Sequence, residues 1–136
     1  MVDATDRSIL SILKENARAP LSEIAEEIGV SEGTVRNRIT RLVSEGTVRR
    51  FTYEGSYEGV SAIIGLKTDS HKPTGKIVEK LKHYAGVEEL LEVTGRFDVI
   101  CLVHSPALPI LNELLEKIRR TEGVMETESF TVLKKS

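Results

Sequence analysis

Apolar positions in the first fifty residues recur at helical spacing. Ile9, Leu10, Ile12, Leu13 and Ala17 share one face of a segment from about Asp3 to Ala17. Pro20 interrupts that stripe. Leu21, Ile24, Ala25 and Ile28 form a second, shorter one, and Gly29 is placed to end it in a left-handed conformation. Ser31 follows as an N-cap. Val35, Ile39, Leu42 and Val43 make a third stripe, stopped by Gly46. The pattern predicts three helices, the last two joined by a short turn containing glycine, which is the grammar of a helix-turn-helix. None is long enough to be stable alone, so the three must share a small core.

The second half changes period. Thr47 to Tyr53 is short and β-rich, and Tyr53 to Gly59 reads as a turn or linker. Val60 to Thr68 has strand composition. Ile77, Val78, Leu81 and Tyr84 carry helical spacing after Pro73. Val87 to Thr94 and Phe97 to His104 read as two strands joined tightly at Gly95-Arg96. Leu108, Leu111, Leu114, Leu115 and Ile118 form another helix, and Val124 to Leu133 a last strand. The predicted order is β-α-β-β-α-β, the split unit of ferredoxin-like sandwiches. An internal echo supports it: Gly86-Val87-Glu88-Glu89 recurs thirty-seven residues later as Gly123-Val124-Met125-Glu126. The fold class is therefore α+β. The expected organisation is a helical domain over 1–50, a linker strand or hinge over 51–59 and a sandwich over 60–136.

Composition narrows the functional classes. Of the 136 residues, 40% are apolar and 29% charged, and the formal charge is −2, as expected of a folded chain rather than a disordered one or a polycation. Any nucleic-acid surface must be a local patch. Cys101 is the single cysteine, so no disulfide or thiolate cluster forms within one chain. The longest aliphatic run, Val99 to Val103, is far too short to span a membrane. Asp3 and Asp6 stand where a secretory signal would be basic and then apolar. The expectation is a reduced cytoplasmic protein without a cofactor.

The local patch lies on the third helix. With Val35 at the centre of its apolar side, the opposite side carries Gly33, Thr34, Asn37, Thr40 and Arg41, flanked by Arg36 and Arg38. A guanidinium fork, an amide and hydroxyls can pair with base edges or bind phosphate. Between Ser31 and Arg50 there are five arginines against Glu32 and Glu45, a local charge of +3. Ser31 at the helix start, and Arg49 and Arg50 just past its end, complete the candidate DNA-contacting set. A polar face on an exposed helix is also what water alone would select.

These residues resemble the Lrp/AsnC family of transcription regulators. The resemblance runs through Asp6-Arg7-Ser8-Ile9-Leu10, Asn16-Ala17-Arg18, Leu21-Ser22-Glu23-Ile24-Ala25 and Val30 to Ile39, and resumes at Thr94-Gly95-Arg96-Phe97-Asp98. It implies a winged helix-turn-helix on double-stranded DNA, and a sandwich that senses an amino acid or related metabolite. It also implies a homodimer formed by pairing sheets, with further assembly up to octamers. Carried over, Gly95, Arg96, Phe97 and Asp98 would line the effector cleft, with Thr127 and Ser129 of the last strand facing it. Where the family has a turn containing Asp-Pro, this chain has Glu54-Gly55-Ser56-Tyr57-Glu58.

The residues leave alternatives open. Gly95-Arg96 is also what a tight hairpin would use, and Asp98 could pair with Arg96 as a surface ion pair. Glu126 and Glu128, like Glu88, Glu89 and Glu92, read as solvated edge or interface charges. His71, His83 and His104 are scattered, which argues against a metal site. Cys101 sits among aliphatic residues as a buried structural thiol. A siroheme-decarboxylase-like enzyme would share the two-domain architecture, although tetrapyrrole chemistry needs positioned histidines. A binding module with vestigial DNA contacts is a third reading.

Overall fold

The computed structural model describes residues 1–55 and 58–136, and the chain divides into two compact units, Met1–Ser56 and Tyr57–Ser136. The first unit holds α1 (Ala4–Glu15), α2 (Leu21–Ile28) and α3 (Glu32–Ser44). Asp3 caps α1 in a reciprocal box: its carboxylate accepts from the Asp6 N–H at 2.8 Å, and the Asp6 carboxylate accepts from the Asp3 N–H at 3.1 Å. Gly29 ends α2 with φ +82°, a conformation that favours glycine. Ser31 caps α3 by accepting from the Thr34 N–H at 3.1 Å. Ile9, Ile24, Ala25 and Val35 form the shared core, with Ile12, Leu13, Leu21, Ile28 and Ile39 packed around it. The three predicted stripes thus converge, as helices this short require, except at Val43, which is exposed at the end of the third.

The β-rich segment after α3 takes a different course. Among the described residues, 47–55 contain no strand. A single extended segment has no neighbour for its N–H and C=O groups, and composition cannot supply one. The expected hinge over 51–59 includes Ser56 and Tyr57, which lie outside the described residues.

The second unit follows the predicted order: β1 (Val60–Thr68), α4 (Thr74–Leu81), β2 (Val87–Glu92), β3 (Val99–Ser105), α5 (Leu108–Arg119) and β4 (Val124–Thr131). The sheet is antiparallel in the order β2-β3-β1-β4. One face is the core, where Ala62, Ile64, Leu66, Val99, Cys101 and Val103 pack against Ile77, Leu81, Leu111, Leu114 and Ile118 of the helices. The other carries Ile63, Leu91, Ile100, Leu102 and Phe130, placed by alternation and register, with Ile63, Leu91 and Phe130 exposed. Gly86 and Gly123, the two halves of the echo, both adopt positive φ at a strand start. The β2–β3 connection is longer than the sequence suggests. Val93 donates to the Asp98 carbonyl at 3.0 Å, so residues 94–97 form the loop and only Gly95, at φ +113°, is left-handed. Burial pushes the Cys101 thiol up to about 12, leaving it protonated and unreactive at neutral pH.

Candidate nucleic-acid and ligand sites

In the first unit, α3 sorts the ten candidate DNA-contacting residues into groups. Arg36, Asn37, Thr40, Arg49 and Arg50 are exposed, and among the described residues the three arginines of this group form no ion pair. The Thr40 hydroxyl donates back to the Arg36 carbonyl at 2.9 Å, so its methyl group faces outward more freely than its proton. Ser31 and Thr34 use their hydroxyls on each other and on the cap. Gly33 has only the Ser31 hydroxyl near its missing Cβ, at 3.9 Å, so the helix start is uncrowded there.

Arg38 and Arg41 are placed differently from the wheel's expectation. Arg38 pairs with Asp3 and, at 3.4 Å, with Asp6, and Arg41 pairs with Asp6. Both side chains lie along the α1 side and are only about a third exposed, while the Asp6 side chain is fully buried. A helical wheel sorts side chains by azimuth around one axis. It does not show that a neighbouring helix presents a carboxylate to one edge of the polar face. The acids lie some thirty-five residues away in sequence, and their N-terminal position reads as a cap, so nothing local marks them as partners of α3.

These pairs depress both carboxyl groups. Asp3 is lowered to about 2, first by the hydrogen bond from the Asp6 backbone and then by Arg38. For Asp6 burial is the largest influence and works upward. The Asp3 backbone N–H and Arg41 together outweigh it, so the net direction is down. A depressed carboxyl contributes stability above its ordinary value of 3.8 and loses it as the pH falls through its folded value. The helical unit is therefore expected to weaken as pH drops from about 4 to 2, seen as falling helicity in far-ultraviolet circular dichroism. A double Asp3→Asn, Asp6→Asn variant should show a much flatter profile over that range. An equally steep loss in that variant would place the acid sensitivity elsewhere.

In the second unit a cavity of about 360 Å³ opens beside the β2–β3 loop, lined by Arg96, Phe97, Glu126, Thr127 and Glu128. Gly65 lies under the Phe97 ring: a Cβ there would sit 2.6 Å from the ring Cδ2 and 2.7 Å from Cγ. Register places Glu128 opposite Gly65 and Glu126 opposite Lys67, so both glutamates share the face the ring covers. Arg96 Nη2 lies 3.3 Å from Glu128, and its guanidinium stands 5.3 Å from the Phe97 centroid.

The structure brings Arg96, Phe97 and Thr127 to this cavity. Asp98 is not among its lining residues: its Oδ2 accepts from the Thr68 N–H at 2.9 Å and from the Thr68 hydroxyl at 3.2 Å. The Arg96–Asp98 pair left open by the sequence is replaced by Arg96–Glu128. Ser129 stands opposite Ile64 and Thr127 opposite Leu66, so both point to the helix-covered side, and the Thr127 hydroxyl accepts from Arg119 Nε at 3.3 Å. Gly95 has nothing within 4 Å of its missing Cβ; its positive φ is what calls for glycine. Glu126 and Glu128 are the residues that sequence reasoning left out of the site. Alternation along β4 was a readable signal that they share a face; that this face meets Arg96 was not.

A helix-turn-helix with a capped, polar-faced third helix, followed in one chain by an αβ sandwich holding a small-molecule-sized cavity, fits the class of ligand-binding transcription regulators. Residues 2–43 match the AsnC-type helix-turn-helix domain and residues 61–136 the Lrp/AsnC ligand binding domain, and the chain belongs to the Lrp/AsnC family. It is 38% identical over 134 residues to the HTH-type transcriptional regulator LysM of Sulfurisphaera tokodaii, covering 98% of this chain and 96% of that one. The LysM regulator of Saccharolobus solfataricus is 37% identical, with 98% and 94% covered. Among solved structures, the feast or famine regulatory protein of M. tuberculosis complexed with L-methionine is similar, at TM-score 0.84 and 29% identity, with 99% and 94% covered.

Proposed function

We propose that this regulator binds double-stranded DNA through the exposed face of α3 and the arginines after it, and that an amino acid in the sandwich cavity alters that binding. Arg36 and Asn37 would reach base edges or phosphates, and Arg49 and Arg50 would hold the backbone. Arg38 and Arg41 would set the orientation of α3 against α1. The observation that carries the reading is the exposed Arg36, which forms no ion pair among the described residues, beside Asn37 on a well-capped helix. The M. tuberculosis relative with L-methionine bound supports an amino acid as the class of ligand.

The exposed apolar face of the sheet, with Ile63, Leu91 and Phe130, supports a homodimer paired through its sheets. Such a dimer would present two recognition helices to half-sites roughly 34–36 Å apart, and further association to octamers would extend the protected DNA.

The test is a footprint on the DNA upstream of the protein's own gene and on selected genomic fragments, with and without a panel of amino acids. Protection at helical-turn spacing that changes with one amino acid is expected. Arg36→Ala should weaken binding and lower the dependence of log affinity on log salt by about 1, the signature of one lost phosphate contact. Arg41→Ala should leave that slope in place and lower the thermal midpoint instead. A reversed pattern would move the DNA contact from Arg36 to Arg41.

A further inference from the structure

We infer that the ligand taken by the sandwich cavity is an amino acid with a second, cationic group on its side chain, and that Glu126 and Glu128 select it. The inference rests on the reading of this cavity as the ligand site. Two carboxylates and one guanidinium line the space: Glu126, Glu128 and Arg96. Every free amino acid brings one ammonium and one carboxylate. Its carboxylate matches Arg96 and its ammonium matches one glutamate. The other glutamate then has no counter-charge from the ligand backbone, and a side-chain ammonium or guanidinium supplies it.

Two details strengthen the charge count. Glu128 Oε2 is buried and accepts no hydrogen bond, although Arg96 Nη2 is 3.3 Å away. A buried acceptor without a donor is costly, so a ligand that donates there gains more than one that does not. Lys67 stands opposite Glu126 in the β1–β4 register, yet it does not line the cavity and forms no ion pair among the described residues. The Phe97 ring and the flat Arg96 group beside it offer an apolar wall for a methylene stem. An apolar side chain would leave the second carboxylate facing hydrocarbon, and an acidic one would bring like charges together.

The experiment is calorimetric titration of the full chain with L-lysine, with L-norleucine, which keeps the four-carbon stem but lacks the terminal ammonium, and with L-glutamate. Lysine should bind at least about tenfold more tightly than norleucine, the scale of one hydrogen bond to a charged group. Glutamate should bind most weakly of the three. Of the isosteric, neutral variants Glu128→Gln and Glu126→Gln, the one that removes the partner of the side-chain cation should reduce the lysine preference with norleucine affinity kept, whereas the one that removes the partner of the α-ammonium should weaken both ligands; far-ultraviolet circular dichroism shows that both variants fold. Norleucine binding as tightly as lysine would overturn the inference and leave the cavity as the ligand site. A lysine preference that survives in both variants would overturn the role of the glutamates. No binding by any of the three would overturn both the inference and the ligand reading beneath it.

Discussion

Asp6→Ala is expected to lower the thermal midpoint by roughly 5–10 °C, the shift that loss of a helix cap and its partners produces in a unit this small, and to weaken DNA binding about tenfold or more. The carboxylate has several roles at once. It completes the capping box of α1 by accepting from the Asp3 N–H, and it receives Arg41 and, more distantly, Arg38. Its side chain is fully buried, whereas both arginines keep about a third of theirs in water. Removal therefore leaves Arg41 without its anchor and Arg38 with Asp3 alone, and Arg41 Nε is already buried without a hydrogen bond among the described residues. Arg41 will turn toward solvent, and α3 will lose one of the ties that fix its angle against α1. Circular dichroism melting and a binding titration at two salt concentrations measure both effects. A variant that binds DNA more tightly, with a steeper salt dependence, would show that Asp6 withholds Arg41 from DNA rather than aiming the helix.

How much of this was readable in advance depends on the range of each interaction. The stripes at Ile9, Ile24 and Val35 and the stops at Gly29 and Gly46 are local signals, and the helices lie where they point. The Gly86 and Gly123 echo likewise marks two strand starts, because positive φ at a strand entrance restricts the residue type. The segment after α3 misled because β composition describes a residue's fit to a sheet and not the presence of a neighbouring strand. The ligand site was half legible. Gly95 to Asp98 stood out as a loop, but their partners depend on sheet register: Asp98 ties to Thr68 across the sheet, and Arg96 meets Glu128 because β1 places Gly65 opposite it. A glutamate on an edge strand reads as solvated until the strand order is known. Asp3 and Asp6 were hidden for the same reason, being distant in sequence and already explained as a cap.

Gly65→Ala is expected to disable the cavity while leaving the fold in place. Gly65 has no unusual backbone conformation, so its need for glycine is purely spatial. The added methyl would meet Phe97 at 2.6 Å from Cδ2 and 2.7 Å from Cγ and Cε2. Because Cγ itself is in the way, spinning the ring about its own axis brings no relief, and the side chain must swing away about χ1. Overpacking of this kind costs about 1–3 kcal/mol, within reach of thermal or denaturant unfolding. The functional effect should be larger. Phe97 takes Arg96 with it, since the guanidinium stacks beside the ring and reaches Glu128 from there. Amino-acid affinity should fall about tenfold or more as that arrangement is lost, whereas DNA binding without ligand should stay near its starting value, because α1 to α3 are untouched. Phe97→Leu in the Gly65→Ala background tests the cause directly: a smaller, flexible side chain beside the new methyl should restore much of the lost stability. If the double variant is as unstable as the single one, the clash with the ring is not the source of the defect.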